Sequence, residues 1–108
     1  MTQSLHQQIK QIETVINRKF LVTDELDSDA REASMAVKKS MMMARSYIRD
    51  YELLDDDLYA QASILPEAIE CLEKLRTDIL NASQHNLIGA IDVAQLTAQL
   101  EQILERLR

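Results

Sequence analysis

Residues 30–54 read AREASMAVKKSMMMARSYIRDYELL, without a glycine or a proline. The run predicts one long helix. Its apolar positions fall on two lines. Ala30, Ala33, Val37, Met41, Ala44, Ile48 and Tyr51 advance by threes and fours, and Ala36, Met43, Tyr47 and Leu54 form a second, displaced line. A helix lying on a surface needs only one apolar stripe. Two lines predict neighbours on two sides and place this helix at the centre of a bundle.

Working outward, Leu5, Ile9, Ile12 and Ile16 step by four, three and four, which predicts a first helix over about 4–21 with a coiled-coil-like seam. Ser4 and Gln7 stand in capping-box spacing at its start. Val22 to Asp29 is a connection with several candidate caps (Thr23, Asp24, Asp27, Ser28), of which Asp27 or Ser28 best suits the long helix over about 28–54. Asp55, Asp56 and Asp57 end that helix and cap a third, over about 58–82. Pro66 inside it removes a hydrogen bond and crowds the preceding turn, so a break or a kink is expected there. Ile69, Leu72 and Leu100 are assigned to the core. Ser83–Ile91 forms a loop whose Leu87, Ile88 and Ile91 are expected to close the bottom of the core. Asp92, with Gln95 three residues on, is expected to start a fourth helix over about 92–107.

The fold class is therefore all-α: an up-down-up-down four-helix bundle, residues 1–108 making one domain, with two long central helices and two shorter ones. The long helices measure about 38 Å and the short ones about 24 Å. The outer helices join the long hairpin at the end away from its turn and are expected to pack there. The tip, Met43 to Leu65, is then partly uncovered.

Composition supports helices and narrows function. One glycine and one proline in 108 residues leave little material for the turns of a β-rich domain. A net charge of −6 opposes binding to a nucleic-acid backbone or an anionic bilayer, so neither is an expected partner. Cys71 is the only cysteine, no apolar run approaches the roughly 20 residues of a membrane span, and the first residues lack the apolar core of a signal peptide. A cytoplasmic location is the expectation.

No constellation points to chemistry. Bundle metal sites use Glu-x-x-His pairs, and His6 and His85 belong to none. The acidic run Asp24–Asp29 lacks EF-hand spacing and its glycine. Cys71, between Glu70 and Leu72 on an apolar face, reads as core filling rather than a nucleophile. No catalytic residue, cofactor or metal is expected. Lys38, Arg45 and Arg49 share one helix face, read as solvated and paired with acids of a neighbour. The Met41–Met43 run sweeps about 200° and reads as a helix buried on several sides, with an adaptable binding surface as the rival reading.

The tip differs. Met43, Tyr47, Tyr51, Leu54, Leu58 and Tyr59 are tyrosines and large apolar residues at an uncovered end, the composition of an interface. The expected function is non-enzymatic protein–protein interaction, adaptor-like or regulatory, through this surface. A homodimer is the expected form, and an unidentified protein partner the other. The alternative is an acidic inhibitor or immunity-type protein that neutralises a basic partner through Asp24–Asp29 or Asp50–Asp57.

Overall fold

The computed structural model describes residues 3–20 and 25–108. Four helices follow in order: α1 Leu5–Lys19, α2 Ser28–Leu53, α3 Leu58–Ser83 and α4 Ala90–Leu107. They close a ring in which α1 packs on α2 and α4, and α3 packs on α2 and α4; the α2–α3 seam is the most extensive. This is the expected four-helix bundle, 47 × 25 × 18 Å in extent. The described residues contain no strand.

Three of the helix starts follow their caps. The Ser4 hydroxyl accepts the Gln7 N–H at 3.1 Å and the Gln7 amide oxygen accepts the Ser4 N–H at 3.2 Å, a complete capping box. Asp27 accepts the Ala30 N–H at 2.7 Å, and Asp57 accepts that of Ala60 at 3.1 Å. Leu21, Val22, Thr23 and Asp24, including the helix end expected at Leu21 and the caps weighed at Thr23 and Asp24, lie outside the described residues.

The fourth start differs from expectation. α4 begins at Ala90, with Gly89 as N-cap and no side-chain cap, so Asp92 sits inside the first turn. In the loop before α4, Asn86 takes the left-handed conformation, φ 58°, which its short polar side chain tolerates. Ile88 is buried and closes the core, Leu87 packs partly against it, and Ile91 points to solvent.

α3 is not broken at Pro66; it runs from Leu58 to Ser83 as one helix. Pro66 is exposed, and so is Ala62, whose carbonyl loses its helical partner to the missing proline N–H. Meanwhile Ala68, Leu72, Leu75 and Ile79 hold the inner face in the core. Leu72 and Leu100 are fully buried, whereas Ile69 is only partly buried against the core.

The outer helices run side by side and antiparallel: Arg106, near the end of α4, donates to the Gln3 carbonyl just before α1, and Lys19, the last residue of α1, pairs with Asp92 in the first turn of α4. Arg45 of α2 donates to both oxygens of Glu13, at 2.8 and 3.1 Å, and Glu52 accepts the backbone N–H groups of Leu5 and His6. α1 therefore lies along the half of α2 nearest the hairpin turn, not at the opposite end. On α3, α4 runs from the end away from the hairpin turn only as far as Glu73: Arg76 pairs with Glu101, and Arg108 reaches Glu73 at 2.9 Å. The first turns of α3 run on past the end of α4.

Candidate interaction surface

The hairpin turn is held rigidly. The Leu54 and Asp57 N–H groups donate to the Tyr51 and Leu54 carbonyls, and the Gln61 side-chain amide donates to the Tyr51 carbonyl at 2.8 Å, tying α3 to the end of α2. Around this fixed turn, Leu53, Leu58 and Tyr59 are 70 %, 76 % and 89 % exposed.

The six residues expected to form one surface divide into three groups. Leu58 and Tyr59 stand exposed in the first turn of α3. Met43 and Tyr47 line a shallow groove along the α2–α3 seam, with Glu67, Glu70, Cys71 and Lys74. Tyr51 packs against the core and Leu54 is half-buried, so these two support the turn more than they present a surface. Leu53, which sequence reasoning passed over, completes the exposed group and lines a depression with His6, Arg49 and Glu52.

Met35 was also missed; it is exposed, and so is Met42, which entered only through the rival reading of the Met41–Met43 run. They are seven apart, so they return to one face of α2, a pattern that the core stripes conceal. Of the Met41–Met43 run, Met41 is buried and Met42 and Met43 are exposed. The expected pairing of basic residues with acids of a neighbour holds for Arg45 through Glu13, while among the described residues Arg49 pairs only with the adjacent Asp50, at 3.6 Å, and Lys38 makes no ion pair.

Charge surrounds the exposed apolar residues. Asp55, Asp56, Glu67 and Glu70 are exposed and make no ion pair among the described residues. In the groove, burial pushes the Cys71 thiol above its ordinary 9.0, and the fields of Glu70 and Glu67 push it further, with Lys74 opposing weakly. A thiol held protonated is a poor nucleophile. Among the described residues, no three of His, Cys, Asp and Glu converge to hold a metal, and no helix is long and apolar enough to cross a membrane. No protein-family model matches the chain, and neither a curated protein nor a solved structure is detectably similar to it.

Proposed function

We propose that this protein is a non-enzymatic helical interaction module that engages a protein partner through the end of its α2–α3 hairpin. The observation that carries the reading is the exposure of Leu53, Leu58 and Tyr59 around one rigid turn. Covering a large apolar side chain is worth roughly 1.5–3 kcal/mol, and tyrosine combines a large contact area with a polar tip. α1 covers the neighbouring part of α2, but α4 stops short of the first turns of α3.

The second reading, an acidic protein that neutralises a basic partner, draws support from Asp55 and Asp56 beside the same apolar residues and from Glu67 and Glu70 along the groove. The two readings separate by salt. A contact led by Leu58 and Tyr59 tolerates it, and one led by carboxylates weakens steeply.

A photo-crosslinking residue placed at position 59 tests the reading in living cells, with the same residue at position 102, exposed on α4, as control. The expected result is adducts from position 59 and few from position 102. Adducts from neither position, or equally from both, contradict it.

A further inference from the structure

Two exposed apolar pairs on this chain carry opposite charge. Met35 and Met42 are 55 % and 64 % exposed and lie on one face of α2, with Lys38 and Lys39 between them in sequence. Neither lysine makes an ion pair among the described residues. Leu58 and Tyr59 form the other pair, preceded by Asp55 and Asp56, which are equally unpaired.

The two pairs cannot meet within one molecule. The α2–α3 seam is marked by Ser40, whose hydroxyl donates to Asp78. Met42 is two residues further on, about 200° around the helix, and so faces away from α3. Lys39 and Asp55 are also separated by about 24 Å of helix.

From this complementarity we propose that the hairpin end of one copy of this chain docks on the Met35–Met42 face of another, with Leu58 and Tyr59 against the methionines and Asp55 and Asp56 against Lys38 and Lys39. The proposal rests on the hairpin-end reading and adds the surface that receives it. Charge selects this pairing over its rivals. Hairpin end against hairpin end brings carboxylates to carboxylates, and methionine face against methionine face brings lysines to lysines; like charges brought together are unfavourable. Pairing the unlike surfaces matches both charge and apolar character. Methionine side chains adapt in shape to the group they receive. The contact is heterologous, joining one surface to a different one.

Such a contact has a complementation signature. Met42→Glu spoils the receiving face and Leu58→Glu spoils the inserted end, and both residues are exposed. Sedimentation velocity of each variant alone and of an equimolar mixture reads the effect, with circular dichroism confirming equal helix content. Wild type is expected to self-associate, and each variant alone to lose at least about tenfold in affinity. The mixture is expected to form dimers and stop there, since the intact face of the Leu58 variant accepts the intact end of the Met42 variant. Lys39→Glu and Asp56→Lys, each of which repels its own kind but attracts the other, provide a second pair should either apolar variant lose helix, and their mixture is expected to associate where neither does alone. A wild type that remains monomeric at high micromolar concentration overturns the proposal. So does a mixture that remains monomeric. Association blocked by Leu58→Glu but untouched by Met42→Glu overturns the receiving face and leaves the hairpin-end reading standing. Adducts at position 59 with a different protein, from a chain that does not self-associate, do the same.

Discussion

The carboxylate of Glu52, in the last turn of α2, accepts the backbone N–H of His6, in the first turn of α1, at 2.7 Å, and that of Leu5 at 3.1 Å. A helix start leaves N–H groups without partners and carries partial positive charge, so a carboxylate from a neighbouring helix satisfies both. The contact fixes the level of α1 against α2. It decides which side of the hairpin end is covered: α1 reaches the turn on the α2 side, and the opening lies on α3.

Glu52→Ala is therefore expected to lower stability by about 1–2 kcal/mol, more than an exposed glutamate would. Glu52→Gln keeps an acceptor without the charge and is expected to fall between. Urea denaturation measures both, and a neutral Glu52→Ala would mean that α1 is not held at this level.

Core substitutions are expected to rank by burial. Leu72→Ala and Leu100→Ala, at fully buried sites, cost about 2–5 kcal/mol each. Ile69→Ala, at a partly buried site, is expected to cost less than either. Chemical denaturation of the three variants checks the order.

Pro66 lies in an uninterrupted helix with its ring exposed. Pro66→Ala restores a backbone donor and is expected to stabilise by about 1 kcal/mol or more, up to the roughly 3 kcal/mol helix penalty of proline. A loss of stability in denaturant would show that the proline conformation is needed for packing.

Cys71 provides a pH test. Its folded pKa lies above the ordinary 9.0, through burial first and Glu70 and Glu67 second. The neutral thiol is thus favoured by folding. That contribution is complete below 9.0 and is lost as pH rises from there through the folded value. Cys71→Ala is expected to flatten the alkaline fall in stability relative to wild type. Alkylation of the folded chain at neutral pH is expected to be slower than of the chain in urea. Equal rates in both would contradict a shielded thiol.

Much of the bundle is legible in residue spacing. The 4-3-4 seam of α1 and the steps of three and four in α2 mark buried faces directly, and Ser4, Asp27 and Asp57 mark helix starts because capping is a local interaction. Spacing carries no information on how far one helix slides along another. Residues 20–27 can span up to about 26 Å when extended, so α1 is free to sit far from its junction, and the contacts of Glu13 and Glu52 set its level instead. The same limit split the expected surface. Tyr51 and Tyr47 are four apart, yet one packs on the core and the other lines the groove with Met43. Leu53 escaped notice because it belongs to neither apolar line of α2.

The central claim is that the end of the α2–α3 hairpin is a contact surface that another copy of the chain covers. Amide hydrogen exchange on dilute and concentrated protein tests it most directly. The account predicts that concentration slows exchange at the turn and the first turns of α3, residues 54–62, and near Met35–Met42, while the exposed side of α4 is unchanged. Exchange that is independent of concentration throughout, or slowed only on α4, would contradict it.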